Sequence, residues 1–315
     1  MPAMLRRCLF LALVWTIASA AEPIPVVTGS SVVHEFTVRI GGDRISATCL
    51  VPAGQDSHGY QPRPDDVRAL AAAKVAVVNG LGFEGWFDRL LRDSRSAPTV
   101  ITAARGVDLI ILTEHDDHPG HAGHAHAAGA ADPHAWHDAR NAARYGINIR
   151  DGLIAADPAG AAGYRERAAT LVRECEALDV WIRAEVATLP AAKRILVTDH
   201  DGLRYFARAY GFEVHAPVGT LDDSEPGAKA VAALIKLVRS QDVPALFLES
   251  LRNPRLIERI AAESGARIGG TLYVDGLPDP TAGAGKSGGP VGYLATMRHN
   301  VTTIVTGLTS KQASP

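Results

Sequence analysis

Seven of the twelve histidines in this 315-residue chain fall between residues 114 and 138, in the run EHDDHPGHAGHAHAAGAADPHAWHD. Imidazole is a good ligand for zinc, copper and nickel, so the chemistry to weigh first is metal binding. Five of these rings, His115, His118, His121, His124 and His126, are spaced by Gly, Ala and Asp, with neither the period of a helix nor the alternation of a strand. A segment of that composition cannot bury a core and reads as a flexible loop. It would gather metal weakly, because ordering it costs entropy; a solvated loop without a metal role is the plainer reading. His134 and His137 stand in the tighter context DPHAWHD. There a proline sets a turn, and the following stretch ARNAARYGINIRDGLIAA has the character of a helix that would hold His134 near its start.

Three more candidate ligands stand where strand-like runs give out. His58 lies in LVPAGQDSHGYQPRPDD, His200 in ILVTDHDGLRYFARAYG and Asp275 in GGTLYVDGLPDP. Open α/β sheets bind ligands beyond the carboxyl ends of their strands. Three imidazoles and one carboxylate gathered there make a four-coordinate site suited to Zn²⁺. Each of these histidines alone is better read as a capping or surface residue; the set of four at strand ends reverses that judgement. Asp199, Asp201 and Glu249 are candidates to orient the ligating rings by accepting their second N–H. Glu249, in LFLESLRNP, also admits reading as a general base or a fifth ligand. His137 is assigned to support of the site or to solvent.

Such a site needs a scaffold, and the chain supplies an alternating one. PVVTGS (25–30), RISATCLV (44–51), KVAVVNG (74–80) and TVITAA (99–104) read as buried strands, with RPDDVRALAAA and GFEGWFDRLLRDS as amphipathic helices between them. RILVTD (194–199), FEVHAP (212–217), ALFLES (245–250) and RIGGTLYVD (267–275) resume the pattern, and a last helix is expected over 290–308. Strand–helix alternation implies mostly parallel sheets covered on both faces. Between the halves Tyr164, Ala168, Leu171, Cys175, Leu178 and Ile182 recur at steps of three and four. That spacing predicts one long helix, read as a strut packed along both halves in preference to a coiled-coil partner. The expected organisation is a signal peptide at 1–21, an α/β lobe at 22–156 that includes a His-rich loop at 114–131, a linking helix at 157–189 and a second α/β lobe at 190–315.

The start of the chain, MPAMLRRCLFLALVWTIASAA, has two arginines, an apolar run and an Ala-Ser-Ala cut site, the layout of a cleaved secretory signal. Its apolar run is too short to span a bilayer. Export permits a disulfide between Cys49 and Cys175, but both read better as small buried residues. A formal net charge of −2 gives no basic footprint for nucleic acid or an anionic membrane.

Taken together, SHGYQPRPDD, DPHAWHD, VTDHDGLRYFARAYG, FLESLRNPRLIERIAAESGA and LYVDGL resemble the ordered blocks of the cluster A-I solute-binding proteins, the zinc and manganese receptors of ABC importers. The resemblance spans essentially the whole mature chain. It implies two (β/α)4-like lobes with mostly parallel sheets, joined by one long rigid helix, with the metal in the interlobe cleft. By position the family's ligands fall on His58, His134, His200 and Asp275. Manganese-type members typically have glutamate where this chain has His200, and zinc-type members often carry a His- and acid-rich loop before the second ligand. Both features point to Zn²⁺. Where the first block commonly has proline and an acid, this chain has Ser57 and Gln61. The resemblance implies a periplasmic, monomeric receptor that is not an enzyme and works with a membrane permease. It leaves room for a periplasmic zinc metallochaperone as donor.

The competing readings are a manganese or iron receptor of the same family, an exported zinc hydrolase, and a metal-dependent adhesin or storage protein. Catalytic zinc usually keeps an open position beside three protein ligands, which four protein ligands would not leave. No HExxH signature occurs in the chain.

Overall fold

A computed structural model describes residues 22–112, 129–220, 226–281 and 290–309. The expected signal peptide therefore lies outside the described residues, as do His115, His118, His121, His124 and His126.

The first lobe runs β1 (Ile24–Ser30), α1 (Ser31–Gly41), β2 (Ile45–Val51), α2 (Pro64–Ala72), β3 (Val75–Val78), α3 (Phe87–Ser94), β4 (Thr99–Thr102) and α4 (Ala139–Ala156). Its strands form one parallel four-stranded sheet in the order β2-β1-β3-β4. The strands are short and rich in valine, and β3 is buried along its whole length, as a sheet covered on both faces requires. Helix α1 is an element that strand-like reading of its Val-rich sequence passes over. SVVHEFTVRIG is dense in β-branched residues, yet Val32, Val33, Phe36 and Ile40 fall on one helical face and are buried. Packing against α4 and its neighbour overrides the weak strand propensity. The helix expected over GFEGWFDRLLRDS begins only at Phe87, because residues 81–86 form turns in which Leu81 has φ 59°.

The long helix is present as α5 (Ala161–Ala187, 27 residues), about 40 Å at the standard rise. It starts after a short 3-10 turn at Pro158–Gly160. Its buried residues are Tyr164, Ala168, Leu171, Cys175, Leu178, Ile182 and Val186, the predicted stripe plus one further turn. It packs on α1 and α4 of the first lobe and on elements of the second.

The second lobe comprises β5 (Ile195–Val197), α6 (Arg204–Tyr210), β6 (Glu213–His215), α7 (Ala228–Ser240), β7 (Ala245–Glu249), α8 (Arg255–Ser264), β8 (Arg267–Leu272) and α9 (Tyr293–Thr309). Its strands pair in parallel as β5-β6 and β7-β8. Helix α9 lies against β7, β8 and α5. Glycine makes that approach possible, since a Cβ on Gly307 would stand 2.6 Å from the Phe247 ring. One large apolar cluster runs from Val26 in β1 through the α5 stripe to Leu308 in α9, so the lobes share a core. Cys49 and Cys175 are both free. Among the described residues no helix is long and apolar enough to cross a membrane.

The α5 stripe should therefore carry much of the stability. Truncating fully buried Leu171 to alanine should cost about 2–5 kcal/mol in chemical denaturation. The same change at Val180, which is 69% exposed, should stay within about 0.5 kcal/mol. Similar losses from the two variants would show that the stripe is not what ties the lobes together.

Candidate metal centre

His58, His134, His200 and Asp275 converge on one point, and one ligand atom from each lies within 4.8 Å of the other three. Each comes from a loop beyond the carboxyl end of a strand or from the turn that precedes a helix. His58 sits between β2 and α2, His134 just before α4, His200 just after β5 and Asp275 just after β8. Two ligands thus belong to each lobe. The His58 Nε2 and His134 Nε2 atoms are 3.1 Å apart. Asp275 Oδ1 lies 3.7 Å from His58 Nε2, 3.2 Å from His134 Nε2 and 3.1 Å from His200 Nε2. His134, His200 and Asp275 are buried, while His58 is half-buried at the mouth. Buried His200 Nε2 and Asp275 Oδ1 face each other without the alignment of a hydrogen bond, and neither has another hydrogen-bond partner.

Local structure aims each ring. Asp132 Oδ1 accepts from the backbone N–H of His134 at 2.8 Å and from its Nδ1–H at 2.9 Å, leaving Nε2 toward the cage. The turn itself is held by Asn79 at the end of β3. Its Nδ2 donates to Pro133 O at 2.9 Å, and its Oδ1 accepts from the Tyr145 hydroxyl at 2.6 Å. Glu249, the last residue of β7, does the same for His200, taking its backbone N–H at 2.9 Å and its Nδ1–H at 2.6 Å. Asp199 in turn accepts from the backbone N–H of Glu249 at 2.9 Å. Burial, with the neighbouring Glu249 charge, pushes the Asp199 carboxyl up to about 7. At His58, Asp56 Oδ1 accepts the backbone N–H at 2.8 Å, and the ring stands edge-on to Phe83 at 4.8 Å. Ser57 contributes its carbonyl, which accepts from Trp86 Nε1 at 2.9 Å.

Of the residues read from the sequence as orienting groups, Glu249 contacts a ligand ring directly and Asp199 acts through it. Asp201 does not join the same chain of contacts; its carboxylate pairs with Arg204. His137 is buried, with Nε2–H donating to Val274 O at 3.0 Å, one residue before Asp275. Burial and the nearby His134 push this ring down to about 3, so it stays neutral. It is not solvent-facing. Asp132 was missed by sequence reading, although an aspartate two residues before a histidine is the spacing of an Asx turn.

The His-rich segment also has described anchors. Leu112 N donates to Ala130 O at 2.8 Å, and Asp132 N donates to Ile110 O at 2.9 Å, with Ile111 and Ala131 in an antiparallel bridge. Both ends of the segment therefore meet beside Asp132, two residues from His134.

Three imidazoles and a carboxylate oxygen, held with their second ring nitrogens engaged at two of the three histidines, form a donor set for a divalent transition-metal ion. The fold and this arrangement define the class: a two-lobed metal receptor with its site between parallel-sheet lobes. The comparisons agree. The family model for the zinc-uptake complex component A, periplasmic, matches residues 26–307, and the chain belongs to this family of solute-binding receptors of ABC importers, which are not enzymes. Among its relatives are the manganese-binding lipoprotein MntA of Halalkalibacterium halodurans, 33% identical over 91% of this chain and 89% of that protein. Another is the iron-binding protein YfeA of Yersinia pestis, 30% identical over 92% of this chain and 88% of the relative. Similar solved structures include the periplasmic zinc binding protein TroA of Treponema pallidum, with TM-score 0.80 and 26% identity over 92% of this chain and 100% of that one. The Mn-bound periplasmic metal binding protein of Candidatus Liberibacter asiaticus has TM-score 0.77 and 28% identity over 90% and 98%.

The electrostatics of the cage predict how protons compete with metal. Burial disfavours a charged ring at His134, but the Asp132 and Asp275 carboxylates outweigh it and raise the proton affinity. At His200 burial is again outweighed, by Asp275 and Glu249, and the ring is held well above the ordinary histidine value. Asp275, despite its burial, is held well below the usual carboxylate range by the facing imidazoles, His200 first. A ring must lose its proton to ligate. Raised values therefore mean that metal affinity falls with acidification from above pH 6.5, the ordinary histidine value, and keeps falling below it. Calorimetry in buffers of differing ionisation heat should show net proton release on metal binding. Affinity that stays flat from pH 8 down to about 6 would contradict these shifts.

Proposed function

We propose that this chain is an exported zinc receptor that holds one Zn²⁺ through His58, His134, His200 and Asp275 and delivers it to an ABC-importer permease. The observation that carries this reading is the donor set: three nitrogens and one carboxylate oxygen. Tetrahedral zinc at its usual bond lengths separates neighbouring donors by about 3.3 Å. Four of the six separations, 3.1, 3.7, 3.2 and 3.1 Å, scatter around that value, and all six lie within 4.8 Å. Periplasmic location after removal of residues 1–21 and a monomeric state belong to the same proposal. So does supply by a zinc metallochaperone.

Within this reading His115, His118, His121, His124 and His126 are an auxiliary collector. Leu112 and Ala130, which bracket it, pair beside Asp132, and a short tether there would give a local ligand concentration of order millimolar. A second reading, a manganese or iron receptor, draws support from the names of the relatives MntA and YfeA. The nitrogen-rich donor set weighs against manganese, which favours oxygen ligands, while imidazole suits iron as well as zinc.

Competitive titration of the mature protein with Zn²⁺, Mn²⁺ and Fe²⁺, followed by elemental analysis, decides between the two. One tightly held Zn²⁺ is expected. His200→Ala should weaken it by orders of magnitude, while His215→Ala, at a ring that pairs with Glu213 away from the cage, should leave it unchanged. Equal effects of the two substitutions would remove the ligand assignment. Deleting 115–126 should abolish weak extra binding and slow loading from a scarce source, with the tight site intact. Loss of the tight site in that deletion would make the loop part of the primary centre.

A further inference from the structure

The two oxygens of Asp275 have different surroundings. Oδ1 faces the three imidazole nitrogens, at 3.1 to 3.7 Å. Oδ2 faces Arg252, whose Nη2 lies 3.5 Å away. The Asp275 side chain is 2% exposed and that of Arg252 16%, so the pair is screened only weakly by water. Arg252 is held where it is by its own turn. That turn follows β7, and the backbone N–H of Arg252 donates to Glu249 O at 3.2 Å. The same few residues thus deliver the Glu249 carboxylate to His200 and the Arg252 guanidinium to Asp275.

A carboxylate can bind a metal through one oxygen or chelate it through two. Chelation here would swing Oδ2 into the cage and away from the guanidinium. We propose that Arg252 sets the denticity of Asp275, keeping it to one oxygen, and thereby biases the site toward an ion content with four ligands. This rests on the zinc reading above and names a residue that enforces it. Zinc is satisfied by four donors in a tetrahedron. Manganese takes a larger set of oxygen-rich ligands and gains most from a second carboxylate oxygen. Arg252 acts through Asp275, as a positioning residue.

Arg252 also lines a cavity of about 590 Å³, together with Asp199, Asn253 and Leu256, so other side chains fit at the position. The test uses the mature protein and its Arg252→Met and Arg252→Lys variants, each checked for a native melting transition. Each is loaded with Co²⁺, whose visible bands are intense in four-coordinate and weak in five- or six-coordinate sites, and titrated competitively with Zn²⁺ and Mn²⁺. The wild type should give the intense spectrum. Arg252→Met should give the weak one and lower the Zn²⁺-to-Mn²⁺ affinity ratio by on the order of tenfold, mainly through tighter Mn²⁺. Arg252→Lys should recover most of both. An unchanged spectrum and ratio in Arg252→Met would overturn the inference, as would equal weakening of both metals. A wild type that prefers Mn²⁺ would overturn the zinc reading instead, and the Arg252→Met spectrum would still decide the denticity.

Discussion

The contact on which the molecule turns is that between Asp275 Oδ1 and three imidazole nitrogens, in a cleft sealed on most sides. A buried carboxylate is tolerated only when compensated. Here His200 Nε2 and Asp275 Oδ1 lie 3.1 Å apart, both without a hydrogen-bond partner among the described residues. Leaving such atoms unsatisfied costs about 1–3 kcal/mol each. A fold that maintains this cost, and adds Asp132 and Glu249 to fix the rings, is built around a cation that sits among the four side chains.

Neither lobe can build that centre alone, since β2 and α4 flank His58 and His134 while β5 and β8 lead to His200 and Asp275. The lobes must therefore be registered to within a few tenths of an ångström. Helix α5 gives the coarse register through its buried stripe, and cross-lobe hydrogen bonds refine it. Leu277 N donates to Ser31 Oγ at 2.9 Å, Gly54 N donates to Leu277 O at 2.9 Å, and His137 Nε2 donates to Val274 O at 3.0 Å. Residues on both sides of Asp275 are thereby fastened to the first lobe, although Asp275 follows a strand of the second. The neutral His137 ring suits this task, because burial and the neighbouring His134 both disfavour a second charge there.

Much of this was legible in the sequence. Valine-rich runs marked the strands, the three-four spacing from Tyr164 to Ile182 marked α5, position after a strand marked His58, His200 and Asp275, and a proline turn before a helix marked His134. What was not legible depended on long-range packing or on atoms finer than residue type. Helix α1 has a strand-like composition, and only its burial against α4 and α5 makes it helical. Asp199, Asp201 and Glu249 were all candidates to orient the ligand rings, yet Glu249 reaches the ring, Asp199 reaches Glu249, and Asp201 turns to Arg204. Asp132 carried a local signal in its spacing to His134, while Arg252 carried none, because its relation to Asp275 exists only once β7 and β8 are paired.

The remaining question is how an empty cage of this kind is stable enough to wait for its cargo. Three imidazoles around one carboxylate would strain a dry cleft if the rings stayed neutral and Asp275 stayed charged. The raised proton affinities of His134 and His200 supply the answer. The Asp275 carboxylate contributes to the raised proton affinity of both His200 and His134, so a proton on either ring offsets its charge where no metal does. The incoming ion replaces one kind of cation with another in a site whose negative charge is already balanced. Loading is then an exchange of protons for metal in a cage whose two lobes share one apolar core along α5.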